Sequence, residues 1–235
     1  MILWIVLFVL VLAISFVLAL KSMRDYQEIP SQLGGDFSLF LVRNTKGLNE
    51  HFFNSLHSDL LQSGLNISIE RLFKGKESAL VLFGPKSLLA KYKQLFNLLE
   101  LEDYTDCEID KVVTWEVGLK LSQQPTDDSY ESVFKNLPEL LDSEQFWWQM
   151  ILWVKKEDSD FFQTQIRAVV YAQDQFRRKE LTQKMQNLSP DRFVKLPKAY
   201  SNAQIIDFYK KRIFPFKGKK QKINNREIIQ LISLS

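Results

Sequence analysis

The sequence predicts an α+β fold: an N-terminal transmembrane helix, two tandem ferredoxin-like (βαββαβ) modules, and a C-terminal helix with a basic tail. Three observations point there. Residues 1–20 are an apolar run without a charged side chain. Residues 37–111 alternate strand-like and helix-like hydrophobic periods in the order strand, helix, strand, strand, helix, strand. Residues 112–200 repeat that order with a period of about 75 residues, in pattern rather than in identity.

The run from Met1 to Leu20 is long enough, at about 1.5 Å per helical residue, to cross a hydrocarbon core of about 30 Å. It lacks the basic leader and small-residue cleavage site of a secretory signal. Lys21 and Arg24 follow the span and no charged side chain precedes it. Basic flanks stay on the cytoplasmic side, so the expectation is a single-pass protein of the cell membrane, N-terminus outside and the rest cytoplasmic. Residues 21–36, with Pro30 and Gly34-Gly35, read as a linker.

In the first module, Phe37–Val42 reads as a buried strand. Leu48, Phe52, Leu56 and Leu60 recur every four residues and share one helical face. Asn66–Phe73 and Ser78–Phe83 read as a hairpin around Lys74-Gly75-Lys76. Gly84-Pro85 opens a second helix carrying Leu88, Tyr92, Leu95 and Leu99, and a short strand is expected near Cys107–Ile109.

In the second module, Val113, Trp115, Val117, Leu119 and Leu121 alternate with Thr114, Glu116, Gly118 and Lys120, as in a half-buried strand. Asp127-Asp128-Ser129 can cap a helix through Tyr130, Val133, Phe134 and Leu137. Phe146–Val154 and Phe161–Tyr171 read as a long hairpin. Trp147 and Trp148 fall on opposite faces, so both faces are apolar and a central, doubly covered strand is expected; the alternative is an aromatic patch, with Trp153, exposed to a partner module. Gln175–Leu188 reads as a helix and Arg192–Leu196 as a last strand. Within residues 201–235, Ser201 and Gln204 form a capping box.

The charge is nearly balanced overall, at +3, but unevenly distributed. Leu99–Glu144 holds 13 acidic against 3 basic side chains, and Phe176–Arg226 holds 15 basic against 3 acidic. Such asymmetry implies an internal electrostatic match or two partner surfaces. The basic candidates for contact with nucleic acid or anionic lipid head groups are Arg177, Arg178, Lys179, Lys210, Lys211, Arg212, Lys217, Lys219 and Lys220.

Catalytic machinery is not visible. Lys74-Gly75-Lys76-Glu77-Ser78 lacks the upstream glycine and the hydroxyl of a phosphate-binding loop. His51 and His57, six residues apart, fall about 240° apart on a helix, and the lone Cys107 completes no zinc spacing. The strands lack the aromatic signature of RNA-binding ferredoxin-like sheets. The expectation is a non-enzyme without metal, cofactor or small-molecule ligand.

Phe37–Val42, Ala79–Phe83, Phe146–Val154 with Gln165–Tyr171, the helix start Arg177-Arg178-Lys179-Glu180-Leu181 and the stretch Ile223–Leu231 give a layout over most of the chain. It resembles the region before the motor in type IV secretion conjugative-transfer ATPases of small-genome bacteria. The ATPase domain that follows in that family is not in this chain. The resemblance implies an accessory or assembly module of a secretion or DNA-transfer apparatus, with a protein partner or a second copy of itself. The alternative expectation is a membrane-tethered nucleic-acid or anionic-lipid binder using residues 176–226.

Overall fold

Period-two alternation of apolar side chains gives the chain its strands, and these strands gather into one sheet. The computed structural model describes residues 11–12, 14–16, 36–105, 107–120, 133–157, 161–197, 199–215 and 218–233. In chain order the sheet and its covering helices are β1 (Phe37–Leu41), α1 (Glu50–Ser63), β2 (Asn66–Lys74), β3 (Glu77–Pro85), α2 (Lys86–Ala90), α3 (Lys93–Phe96) and β4 (Leu99–Leu101). They continue with β5 (Val112–Leu119), β6 (Gln145–Trp153), β7 (Phe162–Tyr171), α4 (Gln175–Gln186), β8 (Phe193–Lys195), α5 (Asn202–Lys211), β9 (Gln221–Ile223) and α6 (Asn225–Ile232).

The strand order is β4-β1-β3-β2-β6-β7-β5-β8, with β9 added to β7. Every pairing among the described strands is antiparallel. The expectation of two tandem ferredoxin-like modules is therefore corrected. β2 and β6 pair in register from Asn66↔Trp153 to Lys74↔Gln145, so strands of the two halves are neighbours within one continuous sheet. The physical reason is edge satisfaction: two separate sheets would each expose a long, apolar edge strand, and joining them removes both edges. The C-terminal stretch is likewise more than a helix with a tail, because β9 joins the sheet and α6 packs on α1.

The transmembrane expectation is corrected too. Among the described residues no helix is long and apolar enough to cross a membrane. The longest of α1–α6 has 14 residues, against the about 20 needed. The single-pass, cell-membrane placement with a cytoplasmic remainder is accordingly not retained. Most of residues 1–20, the linker up to residue 35, the helix start at Asp127–Tyr130 and Lys217 lie outside the described residues.

One face of the sheet carries the main core. Ile69, Phe146, Trp148, Met150, Ile166 and Ala168 pack there against α1, α4 and α6. The helix ends are well specified. Asn49 accepts from the Phe52 amide at the start of α1, and Gly64 closes it in the left-handed region at φ 66°. α5 and α6 each begin with a complete capping box, from Ser201 and Gln204 and from Asn224 and Glu227. β6 lies centrally, with Trp147 and Trp148 both buried on opposite faces.

Candidate functional site

The second face of the sheet holds a polar row beside a smaller apolar cluster of Val112, Trp147, Val169, Ile206 and Tyr209. The registers Glu70↔Gln149, Gln149↔Arg167 and Arg167↔Glu116 put one polar side chain from each of β2, β6, β7 and β5 in a line across four strands. Gln149 donates to Glu70 (3.1 Å), Arg167 donates to Gln149 (3.0 Å) and to Gln165 (2.7 Å), and Gln165 donates to Glu116. Glu70 also accepts from Ser68 (2.7 Å), Tyr104 (2.5 Å) and Arg212 (2.9 Å). The Tyr209 hydroxyl lies 2.8 Å from that of Tyr104.

This row clamps α5. The last carbonyls of a helix have no partner within it and carry the negative end of its dipole. Here the Phe208 carbonyl accepts from Arg167 (2.8 Å), the Tyr209 carbonyl from Gln149 (2.8 Å), and the following Ile213 carbonyl from Arg167. Burial pushes the Arg167 guanidinium down to about 10, with Glu116 opposing the shift. Burial raises the Glu116 carboxyl, although Arg167 and Gln165 pull the other way. Burial and the Glu70 charge drive the hydroxyls of Tyr104 and Tyr209 well above their usual value. Burial alone would lower Arg212, but Glu70 and Asp103 outweigh it and raise it. Glu70, Gln149, Arg167, Glu116 and Arg212 are all buried, and the row fastens the C-terminal end of α5 to the sheet.

The basic residues singled out in the sequence do not converge. Arg177 pairs with buried Glu144 (2.8 Å), and Arg178 donates to the Ala172 carbonyl (2.5 Å). Lys179 is exposed on α4, which packs on the apolar core face. α5 lies on the other face. There Lys210 is partly buried, Lys211 pairs with Asp207 (3.0 Å), and Arg212 is buried between Glu70 and Asp103. Arg177–Glu144 and Arg212–Asp103 thus match the basic stretch to the acidic one internally. Lys217 lies outside the described residues, and Lys219 and Lys220 are exposed.

Those last two belong to a surface that sequence order concealed. The ammonium groups of Lys155 and Lys220 lie 5.8 and 5.5 Å from the centre of the Trp153 indole. Trp153 is partly buried, with the Phe214 ring 6.3 Å away. Exposed Lys156 follows Lys155, exposed Lys219 precedes Lys220, and exposed Lys222 lies on β9. Phe161, 41% exposed, begins the other arm of the same hairpin. Burial, and then the neighbouring Lys155 charge, push the Lys220 ammonium down. Glu157 is the acid described in this turn, while Asp158 and Asp160 lie outside the described residues. Lys155 drew no functional expectation from the sequence, and Trp153 reads there first as part of a covered central strand. A tryptophan at the end of an apolar strand next to a Lys-Lys pair was the available signal.

Cavities among the described residues include two beside α6. One, of about 490 Å³, lies between α1 and α6 and is lined by Glu50, Asn54, His57, Ser58, Asn224 and Arg226 among others. Glu50 and Arg226 pair across it at 2.8 Å. The second, of about 420 Å³, lies beside Arg71. Among the described residues no group of three or more His, Cys, Asp or Glu side chains is placed to hold a metal ion. Compared with known proteins, the chain matches no family model and no curated protein.

Proposed function

We propose that this protein binds single-stranded nucleic acid through the surface around Trp153. The observation that carries the reading is the placement of two ammonium groups within 6 Å of one indole, with Lys219 just before the adjoining strand β9 and Lys222 on it. Burial, and after it the Lys155 charge, lower the Lys220 ammonium, and a phosphate bound beside both lysines would offset both effects. Trp153 and exposed Phe161 supply aromatic faces on which unpaired bases stack. That combination of aromatic platform and basic track favours a single strand over a duplex.

The test is fluorescence anisotropy with a labelled thymidine oligomer. Phosphate contacts from Lys155, Lys219, Lys220 and Lys222, at about 0.7 each, give a log–log salt slope near −3, or roughly a fifty-fold loss between about 50 and 200 mM salt. The double reversal Lys155→Glu with Lys220→Glu should weaken binding about tenfold or more. The reversal Lys179→Glu with Lys211→Glu should leave it within about twofold, because those residues lie elsewhere. Undiminished binding in the first variant, or capture of anionic lipid vesicles without any oligomer binding, contradicts the reading.

A second reading, an assembly contact, rests on Phe176 and Leu141, which are 84% and 59% exposed. Arg177 donates to the Glu139 carbonyl (2.8 Å) and pairs with Glu144, which brings the start of α4 beside the stretch that carries Leu141. An exposed apolar pair of this kind suits a protein partner, the role implied by the resemblance to the region before type IV secretion motors. Crosslinking that is lost in Phe176→Ser supports it, and unchanged crosslinking removes it.

A further inference from the structure

We infer that the cavity between the end of β1, the start of β3 and the C-terminus of α6 binds a monocarboxylate with an apolar chain, with Arg71 as its counter-ion. Arg71 is 4% exposed and sits on the helix-covered face of β2. Its Nε donates to the Ile232 carbonyl at 2.8 Å, which caps α6. That is one of five N–H donors. Among the described residues the two terminal nitrogens hold no hydrogen bond and no carboxylate pairs with the side chain; neither nitrogen is fully enclosed, so both open onto the cavity. The contrast with the other buried arginines is direct. Arg212 has Glu70 and Asp103, and Arg167 has Gln149, Gln165 and the nearby Glu116.

A largely buried cation without an acidic partner is costly, and a bound anion would offset that cost. Burial pushes Arg71 down to about 10, and no acid acts in the other direction. The guanidinium borders a cavity of about 420 Å³, within the usual range for small-molecule sites. Its walls are Leu41, Val42, Leu48 and Leu80, and the hydroxyls of Thr45 and Ser78 lie at exposed positions of the lining. A single planar fork with free terminal N–H groups matches one carboxylate in a bidentate pair. The apolar side of the lining, Leu41, Val42, Leu48 and Leu80, matches a hydrocarbon tail, and the polar side, with Thr45, Ser78 and Ser233, surrounds the carboxylate end. A dianion such as phosphate would bring a second charge that no residue of the lining neutralises. This site is independent of the Trp153 surface, and either can fail without the other. It also departs from the expectation, drawn from sequence, of no small-molecule ligand.

The test uses the full chain and calorimetric titration with octanoate, octanol, octylamine and inorganic phosphate. Saturable octanoate binding is expected, with octanol weaker by about tenfold or more and no binding of octylamine or phosphate. A short peptide ending in leucine, with its C-terminus free or amidated, separates a chain-terminal carboxylate from a free acid. Arg71→Gln should weaken octanoate about tenfold or more. Because that change also removes the cap on α6, Thr45→Trp serves as the second variant. It blocks the lining from an exposed loop and should abolish binding while the fold is kept. Absence of binding by octanoate and by the free-carboxylate peptide overturns the inference. So does binding that both variants leave intact.

Discussion

Replacing Arg212 by methionine removes a buried cation and leaves its partner behind. Arg212 and Glu70 have side chains 2% and 0% exposed and meet at 2.9 Å. Arg212 also pairs with Asp103 and donates to the Lys210 carbonyl, both at 2.8 Å. Its backbone is left-handed, at φ 55°, but methionine is no worse there than arginine, so strain cancels from the comparison. Removing one member of a buried pair costs about 3–5 kcal/mol, because the remaining charge stays desolvated. Against a total stability of about 5–15 kcal/mol, the variant should be marginal, with its urea midpoint lowered by about 1–2 M. Neutralising the stranded acid should restore part of the loss. In Glu70→Gln/Arg212→Met, the Ser68 and Tyr104 hydroxyls can turn to accept from the new amide. The double-mutant cycle should therefore show a coupling of more than about 1 kcal/mol. A loss below about 1 kcal/mol for Arg212→Met, or no recovery in the double variant, refutes the view that this pair holds the C-terminus of α5 to the sheet.

Further outcomes follow from the same contacts. Gly218→Ala places a methyl group against the Gln165 amide, which bonds Glu116 and Arg167, and should cost about 1–3 kcal/mol by urea unfolding. Phe176→Ser should change stability by less than about 0.5 kcal/mol, since the ring is exposed. Acidification should lower the melting temperature. Burial raises Asp103, Asp59 and Glu144, but Arg212, Lys91 with Tyr92, and Arg177 respectively outweigh it and hold all three below their usual 3.8 and 4.5. Their stabilisation is complete above those usual values and is lost as the pH falls through the lower folded ones. Glu116, raised by burial, works oppositely, favouring the fold when protonated and losing that contribution as the pH rises above 4.5. A melting scan from about pH 6 to pH 3 checks the sum, and a melting point that rises towards pH 3 would contradict it.

Much of the local structure was legible in the sequence. Asn66–Phe73 anticipates β2, Phe146–Val154 anticipates β6, and the Ser201–Gln204 box marks the start of α5. Each signal lies within a few residues and depends on period or capping chemistry. The joining of β2 to β6 was not legible, because pairing between strands some 80 positions apart leaves no periodic trace. The polar row was hidden by the same alternation rule that found the strands. Glu116 occupies the alternate positions of β5 that read as solvent-facing, yet it is buried. The charge count from residues 176 to 226 merged residues with different fates. Arg177 and Arg212 satisfy acids within the fold, whereas Lys219 and Lys220 remain at the surface beside Trp153.

If a single strand binds at Trp153 as proposed, photochemical crosslinking reads its position directly. A single-stranded oligomer carrying 4-thiouracil bases, irradiated with the full chain and digested for mass spectrometry, should crosslink at Trp153, Phe161 and residues 219–222. Crosslinks concentrated at Arg177–Lys179, or an oligomer that yields none under conditions where anisotropy is saturated, would contradict the claim.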